Sequence, residues 1–147
     1  MSKENVTIID ATNLILGRLA SNVAKRLLSG ESVIIVNSEK AILSGNKRRI
    51  IEDYKKRLHR KSIVAPWEGP FQPRRPDMLL KRTIRGMLPY KAPKGRVAYK
   101  RLRVYIGIPE EYKEKEKISI PDADSSRLKS KFITLAELCN ELGGFKA

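Results

Sequence analysis

The apolar positions in the first third of the chain follow the spacing of a strand, a helix and a second strand. Residues 6–10 form a short β-branched run, which predicts a strand. Apolar side chains recur at helical spacing over residues 19–28, and Gly30 follows them as a stop signal. The run at 33–36 is continuously apolar, as expected of a parallel strand that is covered on both faces. Two such strands joined by a helix predict an α/β sheet.

The middle of the chain predicts further helices and another strand. A helix over residues 46 to about 60 begins with Asn46 as its cap, and a second helix covers residues 76–88. Residues 90–101 predict a loop and a short helix, ahead of a strand at 102–106. These elements predict an α/β fold with a small, mostly parallel sheet of about four strands and helices on both faces, in a Rossmann-like three-layer arrangement.

The last part of the chain, residues 110–147, is less regular and more polar. Its clearest signal is a capping box formed by Thr134 and Glu137, which opens an amphipathic helix. The pattern leaves open whether this helix packs on the rest of the chain or on a neighbouring protein. We expect one domain spanning residues 1–147, with a core at about 6–109 and a C-terminal extension.

The composition fits one folded domain in a reducing compartment. At 147 residues with 41% apolar content, the chain can bury a hydrophobic core. Cys139 is the only cysteine, so no internal disulfide can form, and its apolar neighbours predict a buried thiol. No window approaches the roughly 18 apolar residues of a membrane span, and the first residues lack the apolar run of a signal peptide. We therefore expect a cytoplasmic protein with no membrane partner.

The distribution of charge adds an indication of function, because one segment carries the entire net charge of the chain. The net charge is +15, and residues 44–103 hold 19 Lys and Arg residues against four acids. Residues 1–43 have five basic and four acidic residues, and residues 104–147 have seven and eight. Self-repulsion of this size destabilises a compact protein, so the segregation indicates a polyanionic partner.

The cations lie on the outward faces of two predicted helices and in the loops beside them. On the helix at 46–60, only Glu52 and Asp53 are available to pair with eight basic residues between 47 and 61. A proline-rich loop follows at 62–76. The candidate phosphate-contacting residues are Arg18, Lys47, Arg48, Arg49, Lys55, Lys56, Arg57, Arg60, Lys61, Arg74, Arg75, Lys81, Arg82, Arg85, Lys91, Lys94, Arg96, Lys100 and Arg101.

Two aromatic residues in the proline-rich loop add a candidate for base contact. Trp67 and Phe71 either stack on unpaired RNA bases or pin the loop to the body of the protein. Both interpretations remain open from the sequence. Trp67 is included among the candidate RNA-binding residues.

Catalytic and cofactor-binding interpretations find little support. The turn after the first strand has only Gly17 and no Gly-x-Gly-x-x-Gly, and residues 43–47 lack the complete pattern of a phosphate loop. His59 has no second ligand or base at suitable spacing. The sequence also lacks a helix-turn-helix or zinc-binding pattern that would indicate a sequence-specific DNA regulator. We predict no catalytic residue, no metal ligand and no cofactor.

Residues 85–107, with the sequence RGMLPYKAPKGRVAYKRLRVYIG, closely resemble the signature of the universal large-subunit ribosomal protein thirteen family. The stretches 13–25 and 36–47 resemble that family's first helix and its second strand and turn, so the likeness covers roughly residues 6–109. In place of the His-Pro-His stretch of the bacterial branch, residues 107–112 read Gly-Ile-Pro-Glu-Glu-Tyr, which is similar to the archaeal and eukaryotic branch.

The resemblance implies a structural, non-enzymatic constituent of the large ribosomal subunit that binds large-subunit rRNA and supports subunit assembly and translation. Its implied partners are that rRNA and neighbouring ribosomal proteins, with no homo-oligomer expected. The implied location is the cytoplasmic ribosome.

Overall fold

The structure is a computed structural model that describes residues 5–146. Within them, the strands are β1 (Val6–Asp10), β2 (Ser32–Val36), β3 (Ile42–Ser44), β4 (Leu102–Val104) and β5 (Phe132–Thr134). The α-helices are α1 (Leu16–Leu28), α2 (Lys47–His59), α3 (Pro76–Gly86), α4 (Pro93–Lys100) and α5 (Leu135–Glu141). Each predicted helix is therefore present, with boundaries that differ by a few residues.

The main sheet is parallel and has the strand order β1-β2-β4. β1 pairs with β2 from Val6 opposite Ser32 to Asp10 opposite Val36, and β4 lies on the far side of β2. The crossover helix α1 ends where predicted, since Gly30 adopts a φ of +102° two residues beyond it. The prediction of an α/β fold with a small parallel sheet is confirmed.

The two faces of this sheet are covered differently. Ile9 and Ile35 belong to the large core that also contains Leu19 of α1 and Leu80 of α3. The other face, which includes Ile34, packs against Tyr112 and its neighbours. The expected helix layer on that second face is replaced by a 3-10 turn at Glu110–Tyr112. The charge-alternating sequence there offers no apolar stripe with which an α-helix could cover the sheet.

The main sheet has three strands where about four were expected, and a second, antiparallel sheet lies beside it in the fold. β3 pairs with β5, with Ile42 opposite Thr134 and Ser44 opposite Phe132. α5 follows β5 directly, and its residues Leu138 and Cys139 lie in the large core. Of the two positions left open for the C-terminal helix, the structure shows packing on the rest of the chain.

The predicted cap and thiol of α5 both take their expected places. The Oγ1 of Thr134 accepts a hydrogen bond of 3.3 Å from the amide of Glu137. Cys139 is fully buried, and this burial, with a smaller contribution from the charge of Asp77, raises the pKa of its thiol to about 12. None of the helices in residues 5–146 has both the length and the apolar character of a membrane span.

Candidate nucleic-acid interface

Helix α2 is a basic helix that rests on the core along one stripe. Asn46 caps it, because its side chain accepts a hydrogen bond of 3.0 Å from the amide of Arg48. No residue of α2 is fully buried, but Ile50, Tyr54 and Leu58 are partly buried against the core, as is Ile51. The opposite side carries the exposed cations. The amphipathic interpretation of this helix is confirmed.

Several cations near α2 already have partners within the protein. Lys47 Nζ lies 3.4 Å from a carboxylate oxygen of Glu137, which ties the start of α2 to α5. Arg48 Nε donates to Glu52 at 3.3 Å, and the guanidinium of Arg57 lies 4.7 Å from the ring centre of Tyr54. These contacts restrict the side chains without removing them from the surface.

Other predicted cations are exposed and have no carboxylate within ion-pair distance among residues 5–146. Uncompensated charges of this kind can exchange small counterions for RNA phosphates at little desolvation cost. We call these residues the basic surface: Arg49, Lys55, Lys56, Arg60, Lys61, Arg74, Arg82, Lys91, Lys94 and Lys100.

The proline-rich loop directs its aromatic rings to solvent. Trp67 is 71% exposed and Phe71 is 74% exposed, so neither ring pins the loop to the body of the protein. The end of the loop lies against the segment that follows α5, because a Cβ on Gly144 would overlap the backbone of Arg74. At the start of α3, Arg75 pairs with Asp77 at 3.4 Å. The loop thus presents two exposed rings in the segment between α2 and α3.

Stacked cations and tyrosines join α3 to α4. The Arg85 guanidinium lies 4.0 Å from the ring centre of Tyr90, and Lys81 Nζ lies 5.2 Å from that of Tyr99. The two rings meet edge to face with their centres 5.5 Å apart. Arg96 Nε adds a hydrogen bond of 3.2 Å to the carbonyl of Tyr90. Lys81, Arg85 and Arg96 are therefore held in defined orientations on the surface.

Helix α4 can approach this cluster closely because it contains Gly95. A Cβ there would overlap the carbonyl group of Pro89 and lie 2.9 Å from the amide nitrogen of Tyr90. Only glycine fits at this contact, which sets the position of the cations at both ends of α4.

Two further predicted phosphate contacts, Arg18 and Arg101, make hydrogen bonds to backbone carbonyl groups of the protein. Arg101 Nη2 donates to the carbonyl of Leu27 at 2.8 Å, so it caps the C-terminal end of α1, and its Nε is buried without a partner among the described residues. Arg18 Nη1 donates to the carbonyl of Asp122 at 3.3 Å, although Arg18 itself is exposed. The hydrogen bond that caps α1 is sufficient to explain the position of the Arg101 side chain without a contact to RNA.

Two cations that were not predicted from the sequence, Arg103 and Lys115, lie beside two that were. Arg103 lies opposite Ile34 on the second face of the main sheet. With Lys100, Arg101 and Lys115 it lines a cleft of about 480 Å³ that contains no acidic side chain among the described residues. The alternation of side chains along a strand could have indicated the position of Arg103, since this residue separates two apolar residues of β4.

The strand ends where a nucleotide would bind in a Rossmann fold are occupied by the protein's own contacts. Burial would raise the pKa of the Asp10 carboxyl, but hydrogen bonds from the hydroxyl and amide of Thr12 and from Asn37 outweigh it and lower that pKa. Glu39 accepts a hydrogen bond of 3.0 Å from the amide of Gly107. The outer side of β1 is occupied as well, because the amide of Asp10 donates a hydrogen bond of 3.1 Å to the carbonyl of Ile118.

Comparison with known proteins agrees with the sequence signature. The family model described as Ribosomal protein L13 matches residues 4–111. The Large ribosomal subunit protein uL13 of Methanosarcina barkeri is 52% identical over 140 residues, which cover 94% of this chain and 98% of that protein. The protein of the same name from Methanocaldococcus jannaschii is 51% identical over 139 residues, covering 94% and 98%. That from Sulfolobus acidocaldarius is 49% identical over 146 residues, covering 99% and 98%. The chain belongs to the ribosomal protein L13 family, in agreement with the predicted archaeal-like branch.

Proposed function

We propose that this chain is a structural constituent of the large ribosomal subunit in the cytoplasm, where it binds large-subunit rRNA and supports subunit assembly and translation. The observation that carries the proposal is the basic surface, whose exposed cations have no carboxylate partners among residues 5–146. The names of its relatives, Large ribosomal subunit protein uL13, support the same assignment.

The basic surface acts by neutralising phosphates at fixed positions. Most of its cations stand on helices held by a cap at Asn46, by the tyrosine contacts between α3 and α4, and by the close approach at Gly95. Contacts to the phosphate backbone fix position and orientation, so recognition depends mainly on the shape of the folded RNA. All of the predicted basic residues and Trp67 belong to this proposal, with Arg101 contributing charge while it caps α1.

We further propose that residues 1–147 form one domain, with neighbouring ribosomal proteins as additional partners and no homo-oligomer. Residues of the extension and of the core region share one hydrophobic cluster, which includes Ile9 and Leu138. The pairing of β3 with β5 joins the two parts of the chain through backbone hydrogen bonds.

The enzyme alternative is not supported. The chain belongs to a family of ribosomal proteins, and the prediction that it is not an enzyme is confirmed. Asp10 and Glu39, the acids nearest the strand ends, are engaged in hydrogen bonds that hold loops together.

Salt dependence tests the electrostatic mechanism. If about six phosphates are neutralised, affinity for large-subunit rRNA should fall on the order of a thousandfold between 50 and 200 mM salt. The measurement is a filter-binding or fluorescence titration of the full chain at several salt concentrations. An affinity that hardly changes with salt would refute this mechanism.

A pair of charge variants tests the location. Replacing Lys55, Lys56 and Arg60 together by Gln should reduce the slope of log K against log salt by about two to three. The matched control replaces Lys25, Lys40 and Lys113 by Gln, which removes the same charge from exposed positions outside both the basic surface and the cleft lined by Arg103. An equal reduction of this slope in both variants would show that net charge alone governs binding.

A further inference from the structure

A pocket of about 420 Å³ lies where the start of α1 meets α2 and α3. Its walls include the buried side chains of Leu16, Leu79 and Leu142, so its floor is apolar. This volume falls within the range of pockets that bind small ligands. Its lining also includes two exposed residues, Arg57 and Arg82.

Two glycines at this pocket have no explanation within the protein. Gly17 and Gly86 both line it, both are exposed, and neither has a positive φ. A Cβ on either would meet no atom within 4 Å, whereas a Cβ on Gly95 would overlap backbone. Neither the backbone conformation nor internal packing therefore requires glycine at these two positions. Glycine would be required at both positions if a group from outside the protein entered the pocket past them.

The charges around the pocket indicate the chemistry of that group. Arg57 and Arg82 are among its lining residues, and no acidic residue lines it. The Arg57 guanidinium is held over the ring of Tyr54, which also lines the pocket. An apolar floor beside two arginines suits a flat, apolar-faced group that carries a negative charge close by. A buried peptide side chain would use the floor but would leave both arginines without a counter-charge.

We propose that this pocket receives one unpaired base of the large-subunit rRNA, with the phosphate of that nucleotide or its neighbour bound by Arg57 and Arg82. The proposal rests on the proposed rRNA binding and names a specific contact within it. The pocket is continuous with the basic surface, because Arg82 belongs to both. Binding of the base would add recognition of an unstacked nucleotide to the shape recognition described above.

The test fills the pocket from Gly86. In Gly86→Leu the new side chain occupies the mouth of the pocket, and Gly86→Ala makes a smaller change that the free space at this site accommodates. Since stacking of one base is worth about 1–3 kcal/mol, Gly86→Leu should weaken rRNA binding roughly 5- to 150-fold, and Gly86→Ala should weaken it less. The salt slope should stay close to that of the unmodified protein, because the basic surface is unchanged.

Three measurements on the full chain make the outcome decisive. Thermal unfolding should show that Gly86→Ala is at least as stable as the unmodified protein, so this variant carries the test if Gly86→Leu folds poorly. Chemical probing of the bound rRNA should show one unpaired base that is protected by the unmodified protein and reactive with either variant. The matched control is Ser21→Leu, which places the same side chain on an exposed position of α1 away from the pocket.

The failure of this inference differs from failure of the proposed function. If the unmodified protein does not bind rRNA in a salt-dependent way, the proposed function fails. If it binds and both Gly86 variants bind equally well with the same protections, the base pocket is refuted. The base pocket is equally refuted if the variants bind naked rRNA normally but fail to join a subunit assembled with other ribosomal proteins, since the occupant is then a protein segment.

Discussion

Replacing Gly95 by Ala tests whether the packing of α4 depends on the absence of a side chain. Gly95 is buried, and the atoms that an added Cβ would overlap belong to the backbone at Pro89 and Tyr90. Backbone atoms cannot move aside by a rotamer change, so α4 must shift by roughly 1 Å or more to reach ordinary van der Waals distance. Overpacking of this kind costs about 1–3 kcal/mol, and we expect a value near the top of that range.

The assay is urea and thermal unfolding of Gly95→Ala beside Gly86→Ala. The first variant should lose about 3 kcal/mol, which corresponds to a fall in Tm of roughly 6–12 °C for a chain of this size. Gly86→Ala is the matched control, because the same methyl group enters open space there. If Gly95→Ala is as stable as the unmodified protein, the close approach of α4 to the turn at Pro89 does not limit the packing of this region.

Three further predictions concern single side chains. Because burial raises the pKa of Cys139 to about 12, its thiol should resist labelling at pH 8 until urea unfolds the protein, and rapid labelling of the native protein would contradict this. The pKa of Asp10 is lowered by folding from 3.8, so its charge stabilises the protein above about pH 4 and this contribution is lost as the pH falls through the folded value. Asp10→Asn should therefore be less stable than the unmodified protein at pH 7, with the difference shrinking toward pH 3, and a difference independent of pH in urea unfolding would count against the hydrogen bonds described. Trp67 is the only tryptophan and is 71% exposed, so its fluorescence should be quenched readily in the free protein and protected by rRNA; emission typical of a buried indole would disprove the loop conformation.

Local signals in the sequence were sufficient for the helices. The cap at Asn46 and the apolar stripe through Ile50 and Leu58 depend on neighbours within a few residues, and both are found as predicted. Gly30 ends α1 for the same reason, since a positive φ is accessible to glycine without a steric penalty. Such features need no information about the remainder of the fold.

Long-range contacts account for what the sequence did not predict. The second face of the main sheet is covered by Tyr112, and nothing in the local pattern distinguishes this tyrosine from an exposed one. β3 and β5 are only three residues each, too short for a clear period-two signal, and they acquire a partner only when distant segments meet.

The candidate site shows the same division. Charge segregation predicted which segment carries the cations, but the interactions of each cation depend on contacts distant in sequence. Arg101 caps α1 through Leu27, and Lys47 pairs with Glu137 across the interface between α2 and α5. The glycines of the pocket are conspicuous only when the space around each one is known. Gly95 and Gly86 both lie in basic helices of the sequence, yet one is in close contact with backbone and the other is in open space.

The pairing of β3 with β5 has a consequence for how the chain matures during synthesis. About 90 residues separate the two strands, and the helix that follows β5 supplies the ion pair to Lys47. Until those later residues have left the exit tunnel, β3 lacks its partner strand and Lys47 lacks its ion pair with Glu137. A nascent chain therefore carries the charge of α2 well before the strand that precedes this helix is paired. Completion of the RNA-binding surface is thereby coupled to synthesis of the last structural elements, so prematurely ended chains would bind polyanions without the geometry needed to join a particle.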